Sequence, residues 1–302
     1  MRRGYKLLLA GALGTGLWVY IRHHQRLAFY GNLLRTYVSY HRRYLTDPQV
    51  HRDLSFHPQA TPRLDLYQPA GPGPYPVLIF IHGGSWTSYP KPWFAPLGIL
   101  LKARGVLTVI PDYTLYPRAT YRQMAQEVAA AIAWTLEHAA DYGGDPQRVF
   151  LAGHSAGGHL AGLVTCDPRW LAELKHSPAE LRGFIGLSGV YDLEAEYRFV
   201  AGNRAARALL QGVFEGEKHF VYASPAQYVR PDLPPVRLIH GDKDDVVPYA
   251  ISEAFHTALQ AAGANSALIR YSGKGHVDYL FDALYHDQAP LWRDLLDLMA
   301  MA

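Results

Sequence analysis

The stretch Val149-Phe150-Leu151-Ala152-Gly153-His154-Ser155-Ala156-Gly157-Gly158-His159-Leu160-Ala161-Gly162-Leu163 decides the fold. Its first four residues are a continuous apolar run, as in a strand buried on both faces, and from Ala156 onward the pattern is that of a buried helix. Between them Gly153-His154-Ser155-Ala156-Gly157 leaves room only for a tight turn, which pushes the Ser155 hydroxyl out at the strand end. Side chains at Gly153 and Gly157 would collide where strand and helix meet. A serine so placed is a candidate nucleophile.

Working outward, short apolar runs alternate with longer helical patterns after the Pro- and Gly-rich stretch 69–76. Strands are predicted at 77–81, 107–110, 149–152, 184–187, 236–239 and 267–271, and helices near 94–103, 121–139, 156–164, 251–262 and 289–299. This is the signature of an α/β fold, a mostly parallel sheet with helices on both faces. Ligands bind such sheets at the carboxyl ends of the strands. The polar motifs fall there: His82-Gly83-Gly84-Ser85-Trp86, Pro111-Asp112-Tyr113, the serine motif, and His240-Gly241-Asp242-Lys243-Asp244.

A serine hydroxyl is a weak nucleophile at neutral pH, so a base must take its proton and a carboxylate must orient that base. His276, in Gly273-Lys274-Gly275-His276 after the last strand, is the candidate base; His240, His256 and His286 are the alternatives. For the acid, Asp242, Asp244 and Asp245 crowd one loop, and His-Gly-x-x-Asp-x-x-Val-Pro singles out Asp244. Asp245 or Asp242 is expected to cap the helix that follows near Pro248. Attack on a carbonyl builds charge on its oxygen, and each backbone N–H aimed at that oxygen is worth roughly 3 to 4 kcal/mol. Gly83, Gly84 and Ala156 are the candidate donors. Ser85, Trp86 and His154 are expected around the substrate.

The 302 residues carry a net charge of +3, but the first 46 hold eight basic residues and no acid. The remainder is mildly acidic, which argues against nucleic acid as a partner. From Leu7 to Ile21 the chain is uncharged and largely apolar, flanked by Arg2, Arg3 and Lys6 and by Arg22 and Arg26. This predicts a membrane anchor over 1–26, with a cleaved signal peptide and a buried helix as rivals. Residues 27–60 are expected to be an amphipathic helical linker or lid, and 61–302 the catalytic domain. Cys166 stands alone, which excludes an intrachain disulfide and a cysteine-rich metal site. No cofactor is called for.

Together, His82-Gly83-Gly84, Pro111-Asp112-Tyr113, Gly153-His154-Ser155-Ala156-Gly157-Gly158, the Asp244 motif and His276 resemble the hormone-sensitive-lipase-like and carboxylesterase branch of the α/β-hydrolases. Within it, His-Gly-Gly-Ser-Trp, Glu215-Gly216-Glu217 with Ser224-Pro225, Leu233-Pro234-Pro235 and Gly273-Lys274-Gly275-His276 look most like isoprenylcysteine methylesterases. The resemblance implies a Ser155–His276–Asp244 triad and an oxyanion hole of Gly83, Gly84 and Ala156. It also implies a small, lipophilic ester substrate cleaved beside a membrane. Ser85, where many relatives carry a third glycine, argues against bulky tertiary alcohols. An aryl formamidase with the same triad is the rival enzyme. A binding module with an idle triad is the rival of another class.

Overall fold

The structure, a computed structural model, describes residues 38–57 and 62–300. The chain divides into two units, 1–42 and 43–302. Of the first, only 38–42 are described, and they are helical. The expected anchor and most of the amphipathic helix lie outside the described residues. Among the described residues no helix is long and apolar enough to cross a membrane.

The second unit is built on eight strands: β1 (Val50–Leu54), β2 (Leu64–Tyr67), β3 (Tyr75–Ile81), β4 (Leu107–Pro111), β5 (Gly144–His154), β6 (Gly183–Leu187), β7 (Val236–Gly241) and β8 (Ser266–Tyr271). Its helices are α1 (Ala95–Ala103), α2 (Tyr121–His138), α3 (Ala156–Cys166), α4 (Arg169–Ala172), α5 (Leu193–Phe199), α6 (Arg204–Val213), α7 (Phe220–Ala223), α8 (Tyr249–Ala261), α9 (Asp278–Tyr285) and α10 (Pro290–Ala300). The strands lie in the order β1-β2-β4-β3-β5-β6-β7-β8. Parallel pairing runs from β4 to β8, and β1 and β2 are antiparallel.

The six predicted strands are all present; the apolar runs of the central ones are buried as a two-sided parallel sheet requires, whereas β8 at the edge is only half-buried, with Arg270 exposed. β1 and β2 were not predicted. β1 is an edge strand whose charged Arg52 and Asp53 face water, and β2 carries the fully buried Asp65 in place of an apolar residue. Asp65 is tolerated because its partners come with it. Lys91 Nζ, itself buried, donates to Asp65 at 2.9 Å and to Asp53 at 2.6 Å. The Tyr44 hydroxyl donates to Asp65 at 2.8 Å and the Asp53 N–H at 3.0 Å, so the carboxylate ties the edge of the sheet together.

β3 is followed in the chain by β4 on one side and β5 on the other, with Ile81 opposite Gly153. The crevice of an open α/β sheet forms at such a switch of direction. Here the Gly83-Gly84 turn after β3 and Ser155 after β5 emerge side by side. Between β6 and β7, helices α5 to α7 form a small cap. Asp192 and Asn203 cap α5 and α6 through their side chains. The Tyr197 hydroxyl fastens the cap, donating to Glu217 at 2.6 Å and accepting from Arg207 and Gln211.

Candidate active site

Ser155 sits at φ 55°, ψ −122°, a left-handed conformation that a non-glycine residue adopts only when its surroundings enforce it. They do. Its N–H donates to the Leu187 carbonyl of β6 at 2.9 Å, and α3 begins at the next residue. A Cβ on Gly157 would lie 2.1 Å from the Ile81 carbonyl oxygen and 2.4 Å from that of His82, so the helix reaches β3 only through glycine.

The turn after β3 is buttressed from below. His82, fully buried, stacks between Phe94 and Tyr113, and its Nδ1–H donates to the Gly83 carbonyl at 2.9 Å. The Tyr113 hydroxyl donates to the His82 carbonyl at 3.0 Å, which gives Pro111-Asp112-Tyr113 its role. Gly83 lies against Ser155: a Cβ there would stand 3.1 Å from the Ser155 Cβ. Gly84 has φ +126°, open to glycine almost alone. The N–H groups of Gly83, Gly84 and Ala156 have no backbone acceptor among the described residues. Ser85 is exposed. Trp86 is buried, set edge-on against His159 and Phe214, and so forms a wall joining this turn to the cap.

The side chain of Asp244 is fully buried. Its Oδ2 accepts from His276 Nδ1 at 2.7 Å and from His240 Nε2 at 2.9 Å; its Oδ1 accepts from the N–H groups of Val246 and Val247. Burial alone would raise this carboxyl, but the His240 and His276 hydrogen bonds, with the Val247 N–H, hold it well below the usual carboxylate range. It therefore stays an acceptor, and the proton on His276 Nδ1 leaves Nε2 free to act as a base. His154 Nε2–H donates to the His276 carbonyl at 3.0 Å, so the residue before the serine holds the loop that carries His276. Burial pushes the His154 imidazole down to about 3, keeping it neutral. No hydrogen bond joins Ser155 to His276 among the described residues; such contacts commonly tighten only when substrate is bound.

His240, an alternative base in the sequence, cannot reach the serine. It is fully buried, bonded to Ser252 and the Val247 carbonyl as well as to Asp244, and so is a second support for the Asp244 carboxylate. His256 bonds Ser266. The expected capping by Asp242 or Asp245 does not occur. α8 starts after Pro248 without a side-chain cap, and Asp242 instead binds the Arg270 guanidinium and the Gly273 N–H, fixing the approach to His276. Glu215 accepts from Thr120 and Arg122, so it fastens the cap as Glu217 does. Burial pushes the Cys166 thiol up to about 12, which leaves it inert.

Sequence reading missed Glu196 on α5. It is 6% exposed, its Oε2 has no hydrogen-bond partner among the described residues, and burial, reinforced by the charge of Asp244, pushes its carboxyl up to about 8.

Residues 64–259 match the BD-FAE family. The chain is 32% identical over 271 residues to isoprenylcysteine alpha-carbonyl methylesterase ICME of Arabidopsis thaliana, covering 85% of this chain and 63% of that one. It is 33% identical to probable isoprenylcysteine alpha-carbonyl methylesterase ICMEL1 of Oryza sativa subsp. japonica, over 97% of this chain and 72% of that one. It thus spans less than two thirds of the Arabidopsis protein. A solved structure of similar fold is the propionate-bound thermophilic esterase Est2 of Thermogutta terrifontis. Its TM-score is 0.68 at 25% identity, with 84% of this chain and 96% of that one aligned.

Proposed function

This chain belongs to the BD-FAE family and is a carboxylesterase-type α/β-hydrolase, and from that membership we propose that it hydrolyses carboxylic esters through Ser155, His276 and Asp244. The observation that supports this reading most is the 2.7 Å hydrogen bond from His276 to the buried Asp244, presented beside the strained serine turn. In the proposed reaction Ser155 Oγ attacks the carbonyl carbon as His276 Nε2 takes its proton. Asp244 stabilises the imidazolium, and the N–H groups of Gly83, Gly84 and Ala156 take the oxyanion. The intermediate collapses, His276 protonates the departing alcohol, and an acyl ester of Ser155 remains. Water, deprotonated by His276, then releases the acid and restores the serine.

The favoured substrate is a lipophilic methyl ester such as a prenylcysteine methyl ester, which would leave as methanol and a free carboxylate. The likeness to proteins named as isoprenylcysteine methylesterases supports this, as does the uncharged stretch 7–21, which would hold the enzyme at a membrane where such esters reside. A fluorophosphonate probe should label the protein and fail on Ser155→Ala. A panel of prenylcysteine methyl ester, short-chain aryl esters and an N-formyl aniline should show the first preferred. No Ser155-dependent labelling would overturn the hydrolase reading, and preference for the formanilide would overturn the ester.

A further inference from the structure

We propose that Glu196 selects esters that carry a primary ammonium group, its carboxylate forming an ion pair with that ammonium beside the triad. The inference deepens the esterase reading and rests on it. α5 follows β6, the strand between those that present Ser155 and Asp244, so it starts from the carboxyl ends of the strands, where the site lies. On its exposed side Glu194 and Arg198 pair with each other at 3.8 Å. Tyr197 is taken up by the network that fastens the cap. Glu196 points into the protein, 6% exposed, and enters no ion pair among the described residues.

A buried carboxyl with an unmet oxygen destabilises the fold, and a hydrophobic residue of like size would avoid the cost. The cost is relieved when a cation enters. Asp244 follows β7, the strand next to β6, and its charge adds to the burial that keeps the Glu196 carboxyl protonated. A second buried anion there opposes ionisation until a positive charge arrives, which makes it a poor site for a neutral or anionic substrate and a good one for an ammonium. A negatively charged group on the substrate would be rejected by both carboxylates.

The test uses binding, which needs no turnover. Full-length Ser155→Ala protein is titrated calorimetrically at pH 6, where the amine of an α-amino ester is an ammonium, with L-phenylalanine methyl ester and with methyl 3-phenylpropanoate, which differ only in the amine. The ammonium ester should bind at least tenfold more tightly, with net proton release, because the Glu196 carboxyl enters largely protonated and leaves ionised. The preference should vanish in S155A/E196Q and in S155A/E196L, the second serving should the first fold poorly. Equal or absent binding of the two esters by Ser155→Ala, or a preference that survives loss of Glu196, overturns the proposal. Ser155-dependent hydrolysis of p-nitrophenyl acetate by the wild type tests the esterase reading separately.

Discussion

Gly83→Ala should cripple turnover and spare the fold. The new Cβ would stand 2.9 Å from His154 Nδ1, 2.9 Å from the His154 carbonyl oxygen and 3.1 Å from the Ser155 Cβ. Two of these neighbours belong to the rigid serine turn, so the turn after β3 must retreat, by about 0.5 Å to reach ordinary van der Waals contact. A hydrogen bond made at about 2.9 Å is lengthened beyond useful range by that movement. Loss of one oxyanion donor costs about 3 kcal/mol in the transition state, or roughly a hundredfold in kcat, while KM changes little. The assay is steady-state hydrolysis of p-nitrophenyl acetate, with thermal unfolding as the control. A kcat within about threefold of wild type would refute the placement of the hole. Gly84→Ala is the contrasting variant: its Cβ would fall 2.2 Å from the Ser88 carbonyl oxygen at φ +126°, so there the melting temperature should drop as well.

Asp244→Asn should lower kcat by roughly 10³ to 10⁴, because an amide can present an N–H to His276 and favour the wrong tautomer; near-normal turnover would show that the acid lies elsewhere. Glu196→Gln should become more stabilising as pH rises. Burial holds the folded-state carboxyl up to about 8, so between its ordinary value and that pH the native state keeps a proton that the unfolded chain has lost, and stability falls with pH. The melting temperature of E196Q relative to wild type should therefore climb from pH 5 to pH 9. A constant difference would mean that the carboxyl is not held protonated.

The central strands were legible because burial on both faces writes itself as uninterrupted Val, Ile, Leu and Phe. The placement of Ser155, Asp244 and His276 in loops at the carboxyl ends of β5, β7 and β8 was legible because each sits in a short motif soon after a strand. β2 escaped because its burial depends on Lys91, far along the chain, which no local pattern reveals. The same applies to His240: the motif names it, but only the packing of β7 against α8 shows that it supports Asp244 from inside. Glu196 and Glu194 look alike in Leu-Glu-Ala-Glu-Tyr, and the roughly half-turn of helix between them decides which is buried. The cap was obscure because its helices are short, each burying only a few apolar residues such as Leu193, Leu210, Val213 and Phe220, with polar contacts of Tyr197, Gln211 and Glu217 between them.

The cluster around Lys91 bears on where the catalytic body can be cut. A chain starting at residue 61, the border suggested by composition, would lack Tyr44 and all of β1. Asp65 would lose the Tyr44 hydroxyl and the Asp53 N–H, and Lys91 would keep one counter-ion instead of two. Worse, β2, four residues all buried in the intact protein, would become the outermost strand with its backbone groups bare. An apolar unpaired strand templates association with other copies, so such a fragment would be expected to precipitate for reasons unrelated to its catalytic residues.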